Sequence, residues 1–388
     1  MEEKANSPTN QVPRYVLLSV LQAFPFCYAH PTITFSCQGA KGMLSLDTRL
    51  QGTSVFLRPS MTTFTGSTSN DLEICTAGHK PISLNLNEQV IKIFEDLGVP
   101  PRFFLDLQAK EINRLRLITS STVNAAHFLR THSIGDKTHL PWFLDKLFRM
   151  NLAFQDDNFL TDVVEAAVLI QLRTLKYKAR IPVEDGFTLL GVMDETGILE
   201  EGQIFCIADV DGKSKVFTAR DGGKVVVTRS PALHPGDIQM AKAVTVSNDS
   251  PLMKLRNCIC FSQKGSRDLP SMLSGGDLDG DSYHIFFDPK IRPAPENICQ
   301  PADYPRQSPV ELRRPVEKQD MIDFFVKFME TDQLGRICNT HKMVADQSEQ
   351  GVKDPNCIKL AEMASTAVDY SKTGKEVCYT FPFTCKKC

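Results

Sequence analysis

Residues 274 to 281, SGGDLDGD, place three aspartates at alternate positions: Asp277, Asp279 and Asp281. Carboxylates this close repel one another, and burying them without partners is unfavourable. The two glycines before Asp277 let the loop approach another group closely. A divalent cation would offset the repulsion, and oxygen-only ligands favour Mg²⁺, Mn²⁺ or Ca²⁺ over Zn²⁺. The spacing therefore predicts a metal site of the kind that enzymes use to bind substrate phosphates.

Two other interpretations of this octet are a calcium loop and a solvated acidic turn. An EF-hand needs Gly at its sixth position and Glu at its twelfth, with helices on both sides. Counted from Asp277, those positions hold Ser282 and Asp288, and SYHIFFDP is typical of a strand. The paired glycines and the apolar strand that follows also disfavour a simple solvated turn. Mg²⁺, with Mn²⁺ as a substitute, is the predicted ion.

Composition and charge describe an ordinary globular chain. Of its 388 residues, 42% are hydrophobic and 23% charged, which excludes wholesale disorder. A net charge of −2 neither indicates nor excludes a nucleic-acid binder. The N-terminus lacks a basic region followed by an apolar core, and the longest apolar run, Tyr15 to Phe24, is short and interrupted by polar residues. We expect an intracellular protein, cytoplasmic or nuclear, with no membrane partner.

The chain divides by hydrophobic periodicity into segments that must position the aspartates. Short apolar runs with turn residues come first, then helical periods, then a run of short strands that carries the aspartate loop. A proline-rich stretch and further helical sequence follow. The predicted segments are 1–84 (β-rich), 85–178 (helical connector), 179–288 (strands), 289–316 (linker) and 317–388 (helical).

SGGDLDGD resembles the signature of the eukaryotic (cellular) RNA-dependent RNA polymerases, the family that makes double-stranded RNA for gene silencing. The likeness runs in order along most of the chain, from about residue 35 to 375. The other matching segments are GAKGMLSL, FLRPSMTTF, LNEQVIKIFEDLGV, VVVTRSPALHPGDIQ, LGRICNTHKMVADQ and KLAEMASTAVDYSKTGK.

The resemblance implies an α+β fold with two double-psi β-barrels joined by a helical connector, and a C-terminal helical region. The first barrel, incomplete here, would lie in residues 1–84 and the second in residues 179–288. The chain would copy a single-stranded RNA template from NTPs by two-metal nucleotidyl transfer. The three aspartates would bind one Mg²⁺ and share the second.

Basic residues must offset the charge that develops on the phosphates. Lys41, in the GAKG turn, is the prime catalytic candidate, because the resemblance places that turn opposite the aspartates; otherwise a solvated turn lysine is the ordinary interpretation. His341 is expected to be structural, and for Arg229, with its neighbours His234 and Asp237, a structural role is at least as favoured as an RNA contact. Six residues are candidates for contacts with RNA phosphates: Arg58, Lys178, Arg180, Arg229, Lys264 and Arg267.

Three further expectations concern partners, length and cysteines. Dicer-like and Argonaute proteins are possible silencing partners. The chain is short for the family, so an inactive scaffold that binds RNA or such partners is the alternative function, and DNA-templated transcription shares the barrel chemistry. The C-terminal Cys385 and Cys388, with Cys378, give three candidate zinc ligands where a structural site needs four, so we expect free thiols.

Overall fold

The computed structural model describes residues 31–50, 55–69, 71–132, 134–210, 212–304 and 308–377. The apolar run from Tyr15 to Phe24 and the C-terminal cysteines lie outside these residues. The strands are β1 (Thr32–Cys37), β2 (Ala40–Ser45), β3 (Glu73–Ala77), β4 (Ile82–Asn85), β5 (Pro182–Met193), β6 (Gln203–Val210), β7 (Lys213–Phe217), β8 (Val225–Arg229), β9 (Ile238–Ala243), β10 (Cys258–Phe261) and β11 (Ser282–Phe286).

Helices occupy the middle and the end of the described chain. They are α1 (Glu88–Asp96), α2 (Pro101–Ile118), α3 (Thr122–Thr131), α4 (Leu140–Arg149), α5 (Asn158–Lys178), α6 (Leu269–Met272), α7 (Lys318–Thr331), α8 (Leu334–Gln347), α9 (Pro355–Val368) and α10 (Tyr370–Thr373). Within the part of the chain that the structure describes, no helix is both long and apolar enough to cross a bilayer.

The N-terminal segment forms a three-stranded antiparallel sheet in the order β2-β1-β3. Gln38 and Gly39 form the β1–β2 turn, and both have positive φ, as a two-residue hairpin turn requires. Strand β2 therefore begins at Ala40, and Lys41 pairs with Ser36 inside the hairpin. The expectation that Lys41 lies in the turn itself is wrong, because the turn closes two residues earlier.

Six strands form a closed barrel in the segment where the second barrel was predicted. Its order is β5-β11-β8-β9-β6-β10, and β10 pairs with both β6 and β5, which closes the ring. The pairs β5–β10 and β6–β9 are parallel, and the other four are antiparallel. Buried side chains from every strand fill the interior, including Ile204, Val225 and Ile285. The α+β fold is confirmed, whereas the domain limits stay a prediction.

The connector helices pack on the strand that follows the aspartate loop. The Asn87 side chain accepts a hydrogen bond from the Val90 amide at 2.9 Å, so it caps α1. The helix ends before Gly98, which has φ +91°. Phe94 of α1 meets Phe286 of β11 edge-to-face, with ring centroids 5.4 Å apart. This contact joins the connector core to the barrel strand that carries the site.

Candidate active site

The aspartate loop connects α6 to β11 and is held from two sides. The Gly191 amide of β5 donates to the Asp281 carbonyl at 3.1 Å. The Met43 amide of β2 donates to the Leu278 carbonyl, also at 3.1 Å. The loop is thus hydrogen-bonded to both the barrel and the N-terminal sheet, two parts of the chain far apart in sequence. These contacts fix its position between them.

The three aspartates offer carboxylate oxygens that all lie within 4.8 Å of one another. Each side chain is half-buried, and among the described residues no other His, Cys, Asp or Glu group of this kind occurs. Mg²⁺ binds oxygen at about 2.0–2.1 Å in octahedral geometry, so oxygens on opposite sides of one ion are roughly 4.2 Å apart. Adjacent oxygens on such an ion are roughly 3.0 Å apart, so the three carboxylates would draw together to bind one ion. The donor set therefore fits a hard divalent cation.

Arg229, at the end of β8, clamps Asp281. Its Nε lies 2.7 Å from Asp281 Oδ2 and its Nη2 lies 2.8 Å from Oδ1, a two-point pairing. Its Nη1 also donates to the Ser274 carbonyl at 3.1 Å. The Asp277 amide adds a 2.9 Å hydrogen bond to Asp281 Oδ2. Arg229 thus orients one of the three carboxylates.

Lys41 reaches across from β2 to the same group. Its Nζ lies 2.7 Å from Asp279 Oδ2, and 51% of its side chain is exposed. The hydrogen bond to Asp279, opposed by partial burial, raises the pKa of Lys41, so the ammonium stays charged. The structure therefore places a cation directly beside the candidate metal ligands, whereas its catalytic role stays a prediction.

The pKa values of Asp277 and Asp279 shift in opposite directions. Burial, then the hydrogen bond with Asp279 and the charges of Asp279 and Asp281, raise the pKa of Asp277. Burial opposes ionisation of Asp279 too, but hydrogen bonds from Asp277 and Lys41 outweigh it and lower the pKa of Asp279. Two carboxylates this close share a proton in the absence of a cation. A divalent cation would take the place of that proton.

The packing explains the small residue at position 276. A Cβ there would lie 2.8 Å from Arg229 Cδ, 2.9 Å from the Tyr283 hydroxyl oxygen and 3.0 Å from the Pro270 carbonyl oxygen. The Tyr283 hydroxyl in turn donates to the Asp277 carbonyl at 2.9 Å. Only glycine lets the loop come this close to the arginine and tyrosine that support it.

Of the six candidates for RNA contacts, only Arg229 lines the cleft that contains the aspartates. Arg58 pairs with Glu195 at 3.3 Å, and Lys264 with Glu200 at 2.6 Å. Arg267 donates to the backbone carbonyls of Ser271 and Ala302, which indicates a bracing role. The remaining two, Lys178 and Arg180, lie at the end of α5 and in the residues that lead into β5.

The structure adds residues to the site that the sequence analysis did not assign. A cleft runs between the aspartate loop and α9, whose Ala361, Ala364 and Val368 form its apolar wall. Lys372 of α10 also lines the cleft. Its positive charge partly opposes the rise in the pKa of Asp277 and contributes to the lowered pKa of Asp279. The segment YSKTGK matched the polymerase family in sequence, but nothing local indicated that Lys372 faces the aspartates.

Comparison with known proteins shows the family of the chain. A family model described as RNA dependent RNA polymerase matches residues 18–386. The chain belongs to the RNA-dependent RNA polymerase family. It is 36% identical over 352 residues to the probable RNA-dependent RNA polymerase SHL2 of Oryza sativa subsp. japonica, covering 87% of this chain and 28% of that relative.

Two other members of the polymerase family extend the comparison. RNA-dependent RNA polymerase 6 of Arabidopsis thaliana is 34% identical over 357 residues, covering 88% of this chain and 29% of the relative. The solved structure of RNA dependent RNA polymerase QDE-1 from Thielavia terrestris has the same fold, with a TM-score of 0.69 at 21% identity. The match covers 89% of this chain and 42% of that one. The chain thus spans about three tenths of the length of these curated relatives.

Proposed function

We propose that the chain is the catalytic part of an RNA-directed RNA polymerase that makes double-stranded RNA for small-RNA silencing. It would copy a single-stranded RNA template from NTPs. One observation carries this proposal: three aspartates with oxygens within 4.8 Å sit on a barrel loop, beside Lys41. Membership of the polymerase family, and relatives that are named as RNA-dependent RNA polymerases, support the choice of template.

The residues of the site have separate roles in nucleotidyl transfer. Asp277, Asp279 and Asp281 would hold Mg²⁺, or Mn²⁺ in its place, and Arg229 fixes the orientation of Asp281. When bound, the ions would lower the pKa of the 3′-hydroxyl and neutralise negative charge on the triphosphate. The reaction joins the 3′-oxygen to the α-phosphorus and releases pyrophosphate.

Two lysines are placed to offset phosphate charge during that transfer. Lys41 lies against Asp279, and Lys372 lines the same cleft from the C-terminal side. Among the described residues, Lys372 pairs with Asp369 at a long 3.5 Å, and it is 56% exposed, so its ammonium can turn toward a ligand. Such preplaced cations stabilise charge as it develops. Arg58, Lys178, Arg180, Lys264 and Arg267 are proposed contacts to RNA phosphates farther from the aspartates.

A scaffold function is the second candidate. In that case the barrel would bind RNA without extending it. Dicer-like or Argonaute partners, and a cytoplasmic or nuclear location, stay predictions under either function.

The test combines synthesis with metal binding. The purified chain is mixed with single-stranded RNA, four NTPs and Mg²⁺, beside Asp279→Ala and the control Asp249→Ala, which changes an exposed turn residue. Mn²⁺ binding is followed by electron paramagnetic resonance. We expect template-length product and bound Mn²⁺ for the wild type and Asp249→Ala, and neither for Asp279→Ala.

Each other outcome has a distinct meaning. RNA binding without product from any variant would support the scaffold function and contradict polymerase activity of this chain alone. Product from Asp279→Ala at the wild-type rate would show that the aspartate loop is not the metal site.

A further inference from the structure

Asp237, which is not one of the three candidate metal ligands, also lines the cleft. One of its carboxylate oxygens has no hydrogen-bond partner among the described residues. Asp237, between β8 and β9, is 1% exposed. Its Oδ2 accepts the amides of Leu233 at 3.0 Å and His234 at 2.9 Å, and so holds the turn between these strands. Its Oδ1 has no hydrogen-bond partner among the described residues. Leaving a buried acceptor unpaired is unfavourable, so such an atom indicates a missing ligand or water.

The surroundings of that oxygen belong to the active-site cleft. Asp237 and Tyr304 both line it, together with Ser274 and Gly275 at the start of the aspartate loop. Tyr304 packs closely on the loop, since a Cβ on Gly275 would lie 3.4 Å from its ring. Burial, followed by the negative charge of the neighbouring Asp237 carboxylate, raises the pKa of Tyr304. An acceptor and a hydroxyl therefore lie side by side in the cleft.

Charge varies across the cleft in a way that suits a nucleotide. The aspartates that would hold metal ions, with Lys372, provide the positions for phosphates. The cleft lining also includes the Asp237 carboxylate, the Tyr304 phenol and the apolar side chains of α9. A phosphate would be repelled by Asp237, whereas a neutral group that donates hydrogen bonds would be stabilised. The hydroxyls of a ribose are such donors, and they lie on the nucleoside half of an NTP.

We propose that Asp237 Oδ1, with the Tyr304 hydroxyl beside it, accepts a hydrogen bond from a ribose hydroxyl of the bound nucleotide and selects ribonucleotides over deoxyribonucleotides. This inference rests on the proposed function, because it assumes that the aspartates bind the triphosphate of an NTP. A site with a buried acceptor discriminates strongly, since a ligand that lacks the hydroxyl leaves the acceptor unpaired.

The test uses variants that keep the fold contacts. In Asp237→Asn, the amide oxygen can still accept the two turn amides, while the oxygen without a partner is replaced by an NH₂ donor. Tyr304→Phe removes only the neighbouring hydroxyl. The control Asp221→Asn changes a carboxylate that pairs with Arg292 on an exposed turn, outside the cleft. Calorimetry with Mg²⁺ measures the affinity of each full-length chain for ATP, 2′-deoxyATP and 3′-deoxyATP, and incorporation assays give kcat/KM for the first two.

For the wild type and Asp221→Asn, we expect ATP to bind at least roughly tenfold more tightly than the deoxynucleotide whose missing hydroxyl Asp237 recognises. Asp237→Asn should lose most of that ratio through weaker ATP binding, with deoxynucleotide affinity nearly unchanged. Tyr304→Phe should lose a smaller part. The deoxynucleotide that wild type discriminates against identifies the hydroxyl.

Other results separate this inference from the proposed function. If Asp237→Asn folds with an unchanged melting temperature and an unchanged ratio, Asp237 serves only the turn, with water on Oδ1, and the inference is wrong. If Asp237→Asn does not fold, an unchanged ratio in Tyr304→Phe overturns it. Wild type that binds and incorporates both nucleotides equally also overturns it but leaves the polymerase proposal standing. Wild type that neither binds nor incorporates ATP overturns both.

Discussion

Removing the Arg229 guanidinium should destabilise the protein more without a divalent cation than with one. Arg229 and Asp281 are only 16% and 17% exposed, and two short contacts join them. Truncation in Arg229→Ala leaves Asp281 half-buried beside two other carboxylates with no counter-charge at that position. Breaking one side of such a pair costs about 3–5 kcal/mol, since the remaining charge has lost its compensation. The lost hydrogen bond to the Ser274 carbonyl adds about 1 kcal/mol.

Mg²⁺ should reverse part of that loss. The cation supplies the positive charge that the arginine no longer provides, and any ligand that binds only the folded state stabilises it by mass action. At a Mg²⁺ concentration about 100 times its Kd, this stabilisation amounts to about 2.7 kcal/mol for a single site. Arg229→Lys should recover less than half of the loss, because an ammonium does not make the two-point pairing.

The assay is urea denaturation followed by fluorescence, with EDTA and with saturating Mg²⁺, for wild type, Arg229→Ala and Arg229→Lys. The same denaturant slope across the variants keeps the comparison of unfolding free energies valid. A loss below about 1 kcal/mol for Arg229→Ala in EDTA, within the range of an exposed ion pair, would refute the bracing role. Full recovery in Arg229→Lys would show that a point charge suffices and that the two-point geometry is unimportant.

Three shorter predictions follow from the same packing. Gly276→Ala should lower the free energy of unfolding by about 1–3 kcal/mol, because no space exists for a Cβ at this position. It should also weaken Mn²⁺ binding, measured by electron paramagnetic resonance. Gly335→Ala, with no atom within 4 Å of the added carbon, is the neutral control. Burial raises the pKa of Asp237 from 3.8 to about 6, so the folded state binds more protons than the unfolded state between these values. The stability contributed by protonated Asp237 is therefore lost as pH rises from about 4 to 7. Over that range, the unfolding free energy of wild type relative to Asp237→Asn should fall by at most about 3 kcal/mol. Lys372→Gln should raise KM for NTPs in steady-state assays while changing the unfolding free energy by less than about 0.5 kcal/mol, since the lysine is 56% exposed.

The parts of the fold that depend on local pattern were predictable from the sequence. Asn87 before an apolar period, and Gly98 after it, gave the limits of α1 because capping and termination are local effects. The strands of residues 179–288 followed from apolar runs separated by turn residues. The octet with three aspartates gave the candidate metal site, since like charges at this spacing need a counter-ion whatever the tertiary structure.

Other features depended on contacts that local sequence does not encode. Lys41 was expected in a turn, but the hairpin register places it in β2, and one shift in register decides which side chains face the aspartates. The sequence left Arg229 as either an RNA contact or a structural residue. In the structure it pairs with Asp281, which lies 52 residues further along the chain. Asp237 looked like part of a rigid turn, which is correct for Oδ2 but leaves Oδ1 unexplained.

The cleft requires more of the chain than the barrel that carries the aspartates. Its first side is the aspartate loop with Arg229 of β8, and its second is α9 with Lys372, about 90 residues further along the chain. The α9 wall is set partly by its neighbour α8, because Cys357 and Leu360 of α9 share a buried core with Ile337 of α8. A change in that core would therefore move the wall of the cleft without touching a metal ligand. Under the proposed function, the spacing of the aspartates would determine which ion the site prefers, whereas the packing of these later helices would determine how much room a nucleotide has beside it.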